Sequence, residues 1–220
     1  MTTTSSGLRL TGRSSSHFTR VVRIFAHELG VPLELIVVHD LMSHDAATFH
    51  GNPALKVPTL LVGSSSVFGT DNICRKLVEL AGRVGDPRVV LSEHVTDDVA
   101  RSAQELIWHA MAVQVQLRVG IEVAKLPADN LFFTKAKAGM IGALAWLDQH
   151  TGDVIGRLPQ PRVLSVLEVT LFSLLEHLTF RPTIPLGPFP VLRGFAAAFA
   201  ERESARCTAF HFDSLPEDAQ

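Results

Sequence analysis

The sequence predicts two domains of different class: an α/β domain of order βαβαββα over residues 1–82, and an all-helical bundle over residues 97–220. Three observations predict it. Short apolar runs alternate with amphipathic stretches in the first third. A proline-led hairpin pattern occupies residues 58–68. After a stretch over residues 83–96 that carries Gly85 and Pro87 and reads as a linker, only helical periodicity remains.

Residues 8–11 form the first strand candidate, and Gly12-Arg-Ser-Ser-Ser16 reads as a turn. A helix over 17–29 carries Phe18, Val21, Val22, Phe25 and Leu29 on one face. Gly30 stops it, and Pro32 lies just beyond. Leu33–Val38 is a buried strand by composition. Strand, helix and strand in this order imply a right-handed crossover and a parallel pair. Residues 41–50 read as a weak helix or irregular segment. Residues 59–62 and 67–68 are two short strands, with Gly63-Ser-Ser-Ser66 as the turn between them. A helix over 71–81 carries Ile73, Leu77 and Val78. The sum is a thioredoxin-like layout.

In the second half, residues 97–124 carry a long amphipathic stripe, with Ala103, Leu106, Ile107, Ala110, Val113, Leu117 and Ile121. A second helix is expected over 130–149 and a loop over Gly152–Arg162. Residues 165–180 are almost wholly apolar and suit a central helix. A last amphipathic helix covers 189–203, and the tail after Pro216 is expected to be loose.

Composition bounds the function. With 46% hydrophobic and 19% charged residues and a net charge of −2, the chain has no basic bias toward nucleic acid or anionic membranes. Met1–Gly7 is polar and lacks the apolar core of a secretory signal, so a cytoplasmic location is expected. Cys74 and Cys207 are too far apart in sequence to suggest a disulfide framework. Ten histidines without ligand spacing give no metal signature, and no metal is expected.

One stretch carries the chemistry. In Asn52-Pro-Ala-Leu-Lys-Val-Pro-Thr-Leu-Leu-Val62, Pro58 opens a strand and is a candidate cis residue. A cis bond there turns the backbone of Val57 outward and offers its N–H and C=O to a peptide-like ligand. Thr70 can cap the helix that starts at Asp71, and a helix start offers N–H groups to a carboxylate.

This run, Lys-Val-Pro-Thr-Leu followed by Thr-Asp-Asn-Ile, resembles the glutathione-binding half of the glutathione S-transferase family. The resemblance extends over roughly residues 8–210. It takes in Ser165-Val-Leu-Glu168, a capping-box pattern at the central helix, and Phe189-Pro-Val-Leu-Arg193 with Phe199-Ala-Glu-Arg202 near the end. It implies that Val57, before Pro58, pairs with the glutathione backbone. It also implies that an acidic residue and a hydroxyl hold the γ-glutamyl end. Here Gly69 stands for the acid and Thr70 for the hydroxyl, while Asp71 is a partial substitute. Lys56 is the candidate for the glycyl carboxylate, with His44 and His50 as alternatives.

Such transferases lower the pKa of the bound thiol with a hydroxyl that hydrogen-bonds the thiolate, the species that attacks. The chain has no Tyr, so Ser or Thr must serve. Ser16-His-Phe-Thr-Arg20 resembles the Ser-Pro-Phe-Val-x-Arg pattern of Ser-type enzymes, with His17 where that pattern has Pro. This points to Ser16. Arg13-Ser-Ser-Ser16 also resembles the zeta-class motif, which points to Ser14; Ser15 is a third alternative. Ser16 has a second reading as the cap of the following helix, and the two roles can coexist. The absence of Cys over 14–17 speaks against a mixed-disulfide chemistry. By resemblance the second substrate, an electrophilic small molecule, is walled by the long helix near Trp108, His109 and Met111.

The resemblance thus implies a cytoplasmic homodimer that conjugates glutathione to an electrophile, a detoxification chemistry. Its alternatives are a non-catalytic binding module of the same fold, suggested by the lost acid at Gly69, and a glutathione-dependent isomerase of zeta type.

Overall fold

In the computed structural model, which describes residues 7–214, the chain separates into two compact units. One takes in residues 7–86 and 203–214; the other is Pro87–Arg202.

The first unit is a thioredoxin-like domain. Its elements are β1 (Leu8–Gly12), α1 (His17–Glu28), β2 (Leu33–Val37), β3 (Thr59–Val62), β4 (Ser65–Phe68), α2 (Thr70–Leu80) and α7 (Glu203–Cys207). The sheet order is β2-β1-β3-β4. β1 runs parallel to β2 and antiparallel to β3, and β3 and β4 form an antiparallel hairpin. The core is Leu10 and Leu60 from the sheet against Val21, Ile24 and Phe25 of α1 and Ile73 and Leu77 of α2, all fully buried. Burying a side chain of this size stabilises the fold by about 1.5–3 kcal/mol before conformational entropy is charged against it.

The hairpin turn is shorter than the sequence suggests. Only Gly63 and Ser64 turn, while Ser65 and Ser66 pair with Val62 and Leu61. Gly63 has φ +58, the left-handed conformation that a two-residue hairpin turn asks for. Within residues 41–50 the regular part is a 3-10 turn, Ala46–Phe49, capped by the Asp45 carboxylate on the Ala47 N–H at 2.8 Å.

Two expected boundaries shift. Of the segment expected to close the helical domain, residues 203–220, the described part, 203–214, belongs with the first unit. Arg20, buried on α1, is the reason: its Nη2 donates to the Ala205 carbonyl at 3.0 Å, and its guanidinium lies 4.3 Å over the Phe210 ring. The tail after Pro216 lies outside the described residues. Residues 83–96 are more than a linker, because β5 (Val89–Val90) is buried and pairs parallel with β6 (Leu164–Ser165) inside the second unit.

The second unit is helical: α3 (Asp98–Leu117), α4 (Leu131–Arg157), α5 (Val166–Phe180) and α6 (Pro190–Ala200), with the short β5–β6 pair. α5 is the central helix, with eleven buried residues. Its Phe172 stacks on Phe199 at 4.5 Å. α3 ends seven residues before the expected 124 and passes into a wider π-type turn over Arg118–Val123. There Gly120 faces Phe133; a Cβ at 120 would sit 2.4 Å from that ring. α4 runs through Gly152 and Gly156, where a loop is expected. Burial of Thr151, Val154 and Leu158, and ion pairs from Arg157 to Asp153 and Asp97, outweigh the helix propensity lost at two glycines.

The expected capping box at α5 does not form. Ser165 is the cap residue, but its side chain makes no cap bond, and Glu168 turns instead to Arg162. That pair is bidentate, at 2.7 and 2.9 Å. A planar guanidinium with two aligned donors outcompetes a single backbone N–H for the carboxylate.

No helix among the described residues is long and apolar enough to cross a membrane.

Candidate active site

Strand register assembles the site. Thr11 of β1 pairs with Thr59 of β3, which pairs with Phe68 of β4. The serine turn follows β1, Val57–Pro58 precedes β3, and Gly69–Thr70 follows β4. These three segments therefore emerge at one end of the sheet, within two strand spacings or about 10 Å. The Val57–Pro58 bond is cis, as the sequence suggests for a candidate cis residue.

The serine turn is packed tightly. Gly12 is forced by its neighbour, because a Cβ there would lie 2.6 Å from the side chain of Thr19. Ser14 and Ser15 are buried, at 3% and 7% exposure, whereas Ser16 is half-buried. The Ser14 N–H donates to Asp213 Oδ2 at 3.0 Å. Ser16 caps α1: its Oγ accepts from the Thr19 N–H at 3.2 Å. A serine hydroxyl has one donor and two acceptor sites. The cap uses an acceptor and leaves the O–H to donate elsewhere. Capping and thiolate stabilisation are thus compatible at one atom. His17 begins α1 where the resembled pattern has Pro; it is buried and its ring lies 4.6 Å from that of Phe18.

The loop before Pro58 is held by Asn52. This buried side chain donates from Nδ2 to the Lys56 carbonyl at 2.8 Å and accepts from the Ala54 N–H at 3.0 Å. Lys56 is exposed and Val57 half-buried at the edge of the ladder. His50 Nδ1 lies 2.8 Å from Oγ1 of the buried Thr11. His44 is exposed.

The start of α2 differs from expectation. Thr70 is already the first helical residue and is 7% exposed, so it does not cap. Gly69 occupies the cap position with φ +83 and ψ 127 and supplies no side-chain bond to the first turn. That conformation belongs to glycine. The absence of an acid at 69 thus coincides with a backbone that suits no side chain. Asp71 sits in the first turn, half-buried. Burial pushes the Cys74 thiol well above its ordinary pKa, and the charge of Asp71 adds to the shift. Cys74 is therefore held as the unreactive thiol.

Of the residues expected along the second-substrate wall, all on α3, Met111 is fully buried, Trp108 half-buried and His109 exposed. Sequence reasoning assigned no role to Asn52 or Asp213. Asn52 heads the quoted motif, and Asn beside Pro in a turn is a signal for side-chain bonding to the backbone. Asp213 lies 199 residues from Ser14, and no local pattern links them.

Residues 15–80 match the family model described as Glutathione S-transferase, N-terminal domain. No curated protein matches the chain in sequence. Solved structures resemble it closely in fold. A glutathione S-transferase from Methylobacterium radiotolerans, in complex with glutathione sulfonate, is 18% identical with a TM-score of 0.75, over 96% of this chain and 99% of that one. A glutathione transferase family member from Pseudomonas fluorescens Pf-5, with bound glutathione, is 20% identical with a TM-score of 0.75, over 93% and 100%. A glutathione S-transferase from Methylobacillus flagellatus, with glutathione bound, is 18% identical with a TM-score of 0.71, over 93% and 100%. At such identities the likeness is one of fold.

Proposed function

We propose that the chain is a glutathione transferase-like enzyme that joins glutathione to an electrophilic small molecule. One observation carries the reading: strand register gathers a half-buried serine hydroxyl, the cis Val57–Pro58 element and an uncapped helix start at one end of a thioredoxin-like sheet. The family-model match over 15–80 and the glutathione ligands of the similar structures support it.

In this reading Val57 pairs through its backbone with the cysteinyl part of the tripeptide. The first N–H groups of α2, with Thr70 and Asp71, receive the γ-glutamyl end at Gly69, and Lys56 pairs with the glycyl carboxylate. Ser16 donates its O–H to the thiolate, which lowers the thiol pKa and keeps the nucleophile charged. The sulfur then forms a bond to an electrophilic carbon; in a substitution the leaving group departs with its bonding pair, and in an addition the π pair of the activated double bond shifts onto the activating group and takes up a proton. Ser16 is preferred to Ser14 and Ser15 because it opens the run that resembles the Ser-type pattern and is the least buried of the three, and the zeta-type isomerase, which needs Ser14, is the less favoured route. Trp108 and His109 remain candidates for the electrophile's wall. The homodimer and the cytoplasmic setting belong to the same proposal and rest on resemblance.

A second reading, a binding module without turnover, is favoured by Gly69, which brings no carboxylate to the γ-glutamyl end. Calorimetric titration with reduced glutathione, in buffers either side of neutrality, tests both. Saturable binding with proton release supports the enzyme. Binding without proton release, together with inertness toward a panel of electrophiles, favours the module. No binding at millimolar glutathione overturns the enzyme and leaves the non-catalytic interaction module.

A further inference from the structure

The packing of α7 on α1 brings together three donors that are remote in sequence. His27 lies in the last turn of α1; Glu203 and Cys207 open and close α7. Glu203 and Cys207 are four residues apart and so share one helix face. All three are exposed, and an imidazole nitrogen, a carboxylate oxygen and the sulfur lie within 4.8 Å of one another. It is the one such cluster among the described residues.

We propose that His27, Glu203 and Cys207 form a binding site for a divalent zinc-type cation. The donor set carries the choice of metal. Thiolate with imidazole suits zinc and its neighbours, whereas magnesium and calcium prefer oxygen alone. Zinc bonds of about 2.0–2.3 Å place tetrahedral donors about 3.3–3.8 Å apart, so the side chains need close by no more than about 1.5 Å. Exposed side chains have that freedom. The scaffold beneath them is fixed without the metal: Ser204 Oγ donates to Glu28 Oε1 at 2.6 Å, Thr208 Oγ1 to the Ser204 carbonyl at 2.7 Å, and Arg20 Nη2 to the Ala205 carbonyl at 3.0 Å. Binding takes the proton from the Cys207 thiol and leaves the fourth position to water. The metal then clamps the C-terminal segment, whose Asp213 holds the serine turn, to α1. The site is separate from the proposed catalytic serine: Ser16 and His27 are eleven residues apart, about 16 Å along the helix.

The test uses the reduced full-length chain, stripped with chelator and titrated with cobalt(II) and then zinc. The expected result is one cobalt per chain with a sulfur-to-cobalt charge-transfer band, displaced by zinc. Cys207→Ser abolishes the band, His27→Ala weakens binding at least tenfold and Glu203→Gln weakens it less. Because the three residues are exposed, the variants should fold. As a second readout on the unaltered chain, zinc should protect Cys207 from alkylation, read by peptide mass. Absence of saturable binding, a band unchanged in His27→Ala, or one metal per two chains would overturn the proposal.

Discussion

The two helix starts at the site solve one problem in opposite ways. Every α-helix begins with four N–H groups that lack intrahelical partners. At α1, Ser16 fills one with its own oxygen. At α2, Gly69 fills none from its side chain, and Thr70 has moved inside the helix. The first start is closed on itself and offers a hydroxyl hydrogen. The second receives no oxygen from the side chain of its cap residue. A thiolate suits the first, because it needs a donor. A carboxylate suits the second, because it satisfies several N–H groups at once. The two starts teach that a hydroxyl beside a helix N-terminus does not by its presence tell cap from ligand contact; the backbone position decides.

Ser16 is the sharpest place to break this comparison. Ser16→Ala removes cap and donor together. A hydrogen bond to a charged group is worth about 1.5–3 kcal/mol, so kcat/KM should fall on the order of 10- to 100-fold. Stability should fall by about 1 kcal/mol. Ser16→Asp separates the roles, because a carboxylate caps but cannot donate. It should melt near wild type yet be at least as inactive. Turnover retained in both variants would reduce Ser16 to a cap.

At the other start, Gly69→Ala should cost about 1–3 kcal/mol, since φ +83 with ψ 127 lies in a region nearly reserved for glycine. Denaturant unfolding measures it. Next in size is Asn52→Ala, which leaves the Lys56 carbonyl without its partner. It should cost about 1–2 kcal/mol and raise KM for glutathione more than it lowers kcat. Thr70→Ala should then contrast with Ser16→Ala. Because Thr70 caps nothing, stability should change by less than about 0.5 kcal/mol, while glutathione affinity falls about three- to tenfold.

A third helix start gives the smallest effect. Asp97 caps α3 through the Val99 and Ala100 N–H groups, at 3.0 and 3.1 Å, and pairs with Arg157. The Ala100 hydrogen bond, with help from Arg157, holds its carboxyl below the usual value of 3.8. A depressed folded pKa means that the contribution is present above about pH 4 and lost as pH falls through the folded value. The difference in melting temperature between wild type and Asp97→Asn should therefore shrink below about pH 4.

Much of this was legible in the sequence, and what was not has physical reasons. The Val-Pro-Thr-Leu run located the cis bond and the strand after it because proline constrains its own backbone and that of its neighbour. The order of elements followed from periodicity. Thr70 was misplaced by one residue because propensity does not resolve which residue adopts the cap conformation, and a glycine at φ +83 moved the helix start. The box at Ser165 and Glu168 was a valid local pattern that lost to Arg162, a partner six residues from Glu168 that the capping pattern does not include. The union of 203–214 with the first unit was hidden by distance along the chain. Arg20, Ser14 and Glu28 meet partners 176 to 199 residues away. His27 with Glu203 and Cys207 could not be found by ligand spacing, because the spacing belongs to two helices.

In the proposed reaction one atom, Ser16 Oγ, serves α1 with a lone pair and a thiolate with its proton. The direct measurement is the ultraviolet absorbance of the glutathione thiolate, titrated with pH in the complex, for wild type and Ser16→Asp. The bound thiol is expected to ionise at lower pH than free glutathione in the wild type, and at or above the free value in Ser16→Asp. Equal ionisation in the two proteins would remove Ser16 from the chemistry.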